Sequence, residues 1–125
     1  ARYWPVRRML DARVAVLAGS DWPAAAVSMN PWLGIATLVT RRAPGGEETL
    51  WQEEGIALSE ALEIFTLGGA RALRRDAVTG SLAVGKSADL IVLDRDVFAV
   101  SPDEVADTQV RMTLFEGEVV YSSSP

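Results

Sequence analysis

Val14-Ala-Val-Leu-Ala-Gly-Ser-Asp21 is a short apolar run closed by glycine, serine and an acid. A run without polar alternation suits a strand covered on both faces, as in a parallel sheet. A buried helical segment competes with that reading, but the shortness of the run and its Gly-Ser-Asp stop favour the strand. On this reading Asp21 lies at the C-terminal end of the strand. In (β/α)-barrels that end carries the catalytic loops, so an acid there is a candidate for chemistry. Gly19 lets the backbone turn tightly before Asp21, and Pro23 stiffens the chain after it. An Asx-type turn or a helix N-cap would use the same Ser-Asp pair, and the short motif alone leaves both readings open.

Upstream, residues 5–12 place Val6, Met9 and Leu10 at helical spacing. Residues 21–31 are rich in Pro, Ser and Asn and predict a loop. Pro31 then stands where a helix can begin, with Trp32, Ile35, Ala36 and Val39 as its buried face. Arg41-Arg42 would close that helix favourably against its dipole. Residues 43–49 predict a polar surface loop, the stretch most prone to disorder. Ser59 is the predicted N-cap of a second amphipathic helix, carried by Ala61, Leu62, Phe65 and Ala72 to about Leu73. Arg71, Arg74 and Arg75 would make its end cationic.

After Asp76 the pattern changes. Thr79-Gly-Ser-Leu-Ala-Val-Gly-Lys86 is punctuated by glycines, and Ala88-Asp-Leu-Ile-Val-Leu-Asp94 predicts a strand rich in branched residues. Ser101-Pro-Asp-Glu104 has the form of a capping box, so a short helical turn should follow. Residues 110–115 and 118–121 predict a terminal hairpin turning at Glu116-Gly117. The spacing Gly80-Ser-Leu-Ala-Val-Gly-Lys-Ser87 satisfies that of a phosphate loop. Such a loop opens a helix, whereas Lys86-Ser87 runs into a strand, so the match reads as chance and the segment as a turn feeding an edge strand. The chain thus divides near residue 75 into a strand-plus-helices part, 1–75, and a part of short strands, 76–125. One buried parallel strand needs neighbours, and three short strands make a poor independent sheet. The chain is therefore expected to be a piece of a longer protein.

Composition narrows the chemistry. A net charge of -5 argues against nucleic acid or an anionic membrane as partner. No stretch approaches the roughly 20 apolar residues that span a bilayer. Residues 1–8 lack the long apolar run of a signal peptide. The absence of cysteine excludes disulfides, zinc–thiolate sites and cysteine nucleophiles. The absence of histidine excludes serine–histidine triads and imidazole metal sites. Glu47-Glu48 and Glu53-Glu54 read as solvated loop acids. Trp4, Trp22, Trp32 and Trp51 read as core or interface anchors, with Trp22 also a candidate substrate contact because it adjoins Asp21.

In order along the chain, several segments resemble the C-terminal end of the amidohydrolase superfamily. They are Gly19-Ser-Asp-Trp-Pro23, Ala61-Leu62 with Thr66-Leu-Gly-Gly-Ala70, Thr79-Gly-Ser-Leu82, Gly85-Lys86, Ala88-Asp-Leu-Ile-Val-Leu-Asp94, and Val110-Arg-Met-Thr-Leu-Phe-Glu-Gly117 with Val119-Val-Tyr121. The likeness is greatest to the branch of YtcJ-like and N-substituted formamide deformylase-like enzymes, and it covers nearly the whole chain. It implies an α/β fragment: the last strand and helices of a (β/α)8 TIM-like barrel over 1–75. The C-terminal strands of a small β-sandwich would follow over 76–125, completed in the family by strands from the start of the chain.

The resemblance also implies metal-dependent hydrolysis of non-peptide, amide-type C–N bonds by an activated water. The metal would be divalent, zinc by expectation. Asp21 matches the family's metal-binding, proton-carrying aspartate, and Trp22 would touch substrate. The family's histidines and its lysine or carboxylate bridge all precede the matched region. Asp21 alone cannot hold a metal, so this piece by itself is expected to be inactive. Arg13 stands where many relatives carry glycine. The partners implied are the remainder of the parent chain, a small-molecule substrate and a further copy in a homo-oligomer, with no nucleic acid and no membrane, in the cytoplasm. A reading of another class is a non-catalytic, truncated module that dimerises or docks.

Overall fold

Asn30 caps the helix that organises the core. Its Oδ1 accepts the Trp32 N–H at 3.0 Å, and Pro31 occupies the first turn, where no amide is needed. The computed structural model describes residues 4–24, 26, 28–43 and 45–123. The N-terminal residues of the signal-peptide reading, and Ala25, Val27 and Pro44 of the two predicted loops, lie partly or wholly outside them.

Four helices are present among the described residues: α1 (Val6–Asp11), α2 (Pro31–Thr40), α3 (Leu58–Phe65) and α4 (Leu67–Ala72). Two 3-10 turns accompany them, at Gln52–Glu54 and Glu104–Asp107. The core joins Val6 of α1, Trp32, Ile35 and Ala36 of α2, and Ala61 and Ile64 of α3 to Val97 and Val105 from the later part of the chain. Val105, on the second 3-10 turn, thereby seats against α2 at the spacing read from Trp32, Ile35 and Ala36.

Three strands form an antiparallel sheet in the order β1 (Leu90–Leu93), β2 (Val110–Phe115), β3 (Glu118–Ser122). Between Phe115 and Glu118 both turn residues take positive φ, 51° at Glu116 and 86° at Gly117. That is the two-residue hairpin turn whose twist matches the strands. The register slips beside Val119 and again beside Leu93, so both outer strands meet β2 at a bulge.

The structure bears on four expectations and corrects two of them, the start of the second helix and the setting of Glu54. The 14–18 segment forms no strand ladder. It is a half-packed segment with Val16 and Ala18 against the core and Val14 and Leu17 exposed at 46% and 55%. Among the described residues no neighbouring strand is present to take its backbone hydrogen bonds, which a strand requires. The helix begins at Leu58, not after Ser59, because the Glu60 carboxylate accepts the Ala57 N–H at 2.8 Å. It also breaks at Thr66 (φ -121°, ψ -85°) before α4 resumes. The predicted disorder-prone loop is tied at its ends by a bridge between Arg42 and Thr49. Glu54 is not a solvated acid: it is fully buried, its Oε1 2.9 Å from Arg8 Nε.

Candidate functional site

Asp21 sits where the half-packed segment ends in a turn. Its backbone is left-handed (φ 50°), a conformation that aspartate tolerates better than most residues. The Trp22 N–H donates to Ser20 Oγ at 3.2 Å, and the Ala24 N–H donates to the Asp21 carbonyl at 2.8 Å. The peptide bond between Trp22 and Pro23 is cis. Neither hydrogen bond of the turn uses the Asp21 side chain, which is exposed, and no described residue donates a hydrogen bond to its carboxylate. Trp22 is half exposed beside it.

Further upstream the segment is held by α1 and α4. The Arg13 and Val14 amides donate to the Leu10 and Met9 carbonyls at 2.8 and 2.9 Å, and Arg13 takes φ 57°. This is the Schellman arrangement, in which a left-handed residue favours glycine. α4 ends the same way, with Arg74 at φ 56° and the Arg74 and Arg75 amides donating to Arg71 and Ala70.

Asp21 has no company of the kind a metal needs. Among the described residues no group of three or more histidines, cysteines, aspartates or glutamates could hold an ion. One hard oxygen ligand without imidazole or thiolate does not fit a metal site on its own. Of the other tryptophans, Trp32 is buried at 4% exposure in the core, and Trp4 stands 66% exposed.

Two further acids have shifted protonation for structural reasons. The Asp89 carboxyl is held below its ordinary value by the Glu116 N–H, then by the hydroxyls of Thr79 and Ser87. It therefore ties the Thr79-Gly80 turn to the hairpin turn. Asp94 is lowered to about 2, first by Arg95 and then by the Gln109 N–H. Shifted acids often mark active sites, but here each partner is a backbone or neighbouring group of the sheet. Sequence reading passed over this pair of clasps, although Thr79, Ser87 and the two aspartates bracketing β1 were in view. Lys86 is likewise structural, donating to the Asp76 carbonyl and to Ser81 Oγ. No helix follows Ser87, so the phosphate-loop context is absent.

A shallow groove between the start of α2 and the sheet is lined by Asn30, Trp32, Thr108, Gln109, Thr113 and Tyr121. Trp32 Nε1 and Thr108 Oγ1 are buried there with no hydrogen-bond partner among the described residues. No helix of the described residues is long and apolar enough to cross a membrane.

Comparison with known proteins agrees with the ordered motifs. Residues 2–121 match the model of the amidohydrolase family. The chain is 35% identical over 122 residues to the N-substituted formamide deformylase of Arthrobacter pascens, covering 96% of this chain and 22% of that protein. It is 28% identical over 120 residues to the putative amidohydrolase YtcJ of Bacillus subtilis, covering 94% of this chain and 22% of that protein. The crystal structure of an amidohydrolase from Thermotoga maritima superposes with a TM-score of 0.68 at 20% identity. That superposition covers 94% of this chain and 26% of the Thermotoga chain. The chain thus spans about a quarter of the length of the relatives it matches.

Proposed function

Since the chain belongs to the amidohydrolase family, we propose that it is the C-terminal part of a hydrolase of carbon–nitrogen bonds other than peptide bonds, with Asp21 as its catalytic acid–base. The observation that carries this reading is the Asp21 carboxylate, exposed and unengaged at the end of an apolar segment. A group so placed can accept a proton from the attacking water and return it to the departing nitrogen. Trp22 offers an apolar wall beside it for the substrate. Amide-type substrates are supported by the name of the Arthrobacter relative.

In this reading the 14–18 segment is the last strand of a (β/α)8 barrel, and β1–β3 belong to a small β-sandwich. The divalent metal, zinc by expectation, would take its other ligands from protein outside these residues, since Asp21 by itself does not fit a metal site. The 125-residue chain alone is then inactive.

In the full-length hydrolase, Asp21→Asn is expected to cut turnover by about 10²- to 10⁴-fold while leaving the circular dichroism spectrum unchanged. Turnover at the wild-type rate would remove Asp21 from the mechanism. The exposed apolar side chains of β3, Val119, Val120 and Tyr121, favour a second reading as a docking module. That reading would be preferred if the gene upstream of Ala1 encoded no strand followed by a His-x-His pair.

A further inference from the structure

Gly68 and Gly69 stand side by side in α4, yet their surroundings differ. A Cβ built on Gly68 would lie 2.7 Å from the Val16 carbonyl oxygen and 3.6 Å from the Leu17 Cα. A Cβ on Gly69 would meet nothing within 4 Å. Gly68 is therefore the point at which the first turn of α4 touches the backbone of the segment that ends in Asp21. That segment has no strand partner among the described residues, so beyond the Val14 N–H bond to Met9 at its start its place is set by packing: Val16 and Ala18 on the core, and this backbone contact. A carbonyl moves only by turning its whole peptide plane through the flanking φ and ψ, so a push on it is passed to the neighbouring backbone.

We propose that Gly68 is a positioning residue for Asp21: its missing side chain sets how deeply the 14–18 segment seats against α4, and hence where the Asp21 carboxylate stands. The role rests on the hydrolase reading only for its catalytic consequence; the placement itself is a property of this chain. Asp21 follows Val16 by only five residues, and the turn after it is fixed by backbone bonds, so a displacement at Val16 is carried forward. A methyl group at Gly68 must push the carbonyl away by several tenths of an ångström, since contacts shorter than 3.0 Å do not persist.

Three single substitutions separate positioning from general damage. Gly68→Ala adds the methyl against the segment. Gly69→Ala adds it to the same helix in open space. Gly80→Ala adds it 2.5 Å from the Ala70 Cβ and 3.2 Å from the Leu67 Cα, so it presses on α4 with its nearest atoms there and not on the 14–18 segment, at a residue with φ 84°. The first readout is the backbone amide NMR spectrum of the full-length protein, read at the amides of this region. Gly68→Ala is expected to shift the amides of Leu17 to Trp22, Gly69→Ala to leave them in place, and Gly80→Ala to lower the melting temperature without moving them.

The second readout is steady-state kinetics of the full-length hydrolase. There Gly68→Ala is expected to lower kcat about tenfold or more with KM little changed, because misplacement near 1 Å can cost about 10²-fold. Unmoved Leu17–Trp22 amides in Gly68→Ala would overturn the proposal, as would equal shifts in Gly80→Ala. Loss of the fold in Gly68→Ala, with Gly69→Ala folded, would also overturn it by making the glycine a requirement of folding. Shifted amides together with an Asp21→Asn enzyme of normal turnover would uphold the positioning and reject the catalytic reading of Asp21.

Discussion

Replacing Thr108 by valine should make this protein more stable, although substitutions at buried positions usually do the reverse. Thr108 is 2% exposed, and its Oγ1 finds no partner among the described residues. A buried hydroxyl that has lost water and gained nothing costs about 1–3 kcal/mol. Valine has nearly the same shape, and the backbone at this position (φ -60°, ψ 133°) is extended, where a β-branched side chain is at ease. The gain expected is about 1–2 kcal/mol. For a chain of this size, with an unfolding entropy of roughly 2.1 cal/mol/K per residue, that raises the melting temperature by about 4–8 °C.

Thr108→Ser is the companion variant. It keeps the hydroxyl and removes a buried methyl, and should cost about 1 kcal/mol. Urea titration measures both, with the midpoint moving and the slope unchanged. A valine variant less stable than the parent would refute the reasoning, for it would mean that Oγ1 is satisfied in solution, by water or otherwise.

The pH profile carries a second prediction. Asp94 is lowered from 3.8 to about 2 by Arg95 and the Gln109 N–H. A depressed carboxyl adds stability that is full above its unfolded value and is lost as pH falls through its folded one. The melting temperature should therefore drop between about pH 4 and pH 2, and Asp94→Asn should flatten that drop. At Arg13, glycine relieves a left-handed backbone but adds freedom to the unfolded chain, a net gain of roughly 0.5–1 kcal/mol in thermal or urea unfolding. Gly34→Ala would place a Cβ 2.8 Å from Phe65 Cζ. It should destabilise by about 1–3 kcal/mol. A double-mutant cycle with Phe65→Leu should recover most of that loss; strict additivity would show that the contact is not the cause.

Features governed by near neighbours in sequence were legible. Pro31 and the apolar spacing of Trp32, Ile35 and Ala36 located α2, and Glu116-Gly117 located the hairpin turn with its two left-handed residues. What was not legible depended on partners that residue types alone do not name. Glu54 reads as a loop acid because its neighbours are polar, and only the arrival of Arg8 from α1 explains its burial. Ser59 has the composition of a cap, yet Glu60 reaches back to Ala57 and starts the helix earlier. The 14–18 run has a strand's composition, but a strand is made by its neighbours, and none stands beside it among the described residues. Asp21 was legible as a candidate from its place after that run; its left-handed, exposed presentation was not, since it depends on the turn to Ala24.

The exposed apolar surfaces are not equivalent, and the difference bears on what covers them. At β3 the edge carries a bulge beside Val119 and Val120, a device that blunts a sheet against casual pairing. β1 is only four residues long, which limits pairing in another way. The 14–18 segment has neither defence. Leu17 and Val14 face solvent, no bulge or proline interrupts the run, and its Val16 carbonyl is held by contact with α4 and not by a ladder. Among the described residues this segment has no strand partner, and its backbone is left open to strand addition. Covering it would exclude water from one side of the approach to Asp21, where an acid–base group works best against a low dielectric. The burial that completes the fold and the shielding that the proposed chemistry needs would then occur at the same place.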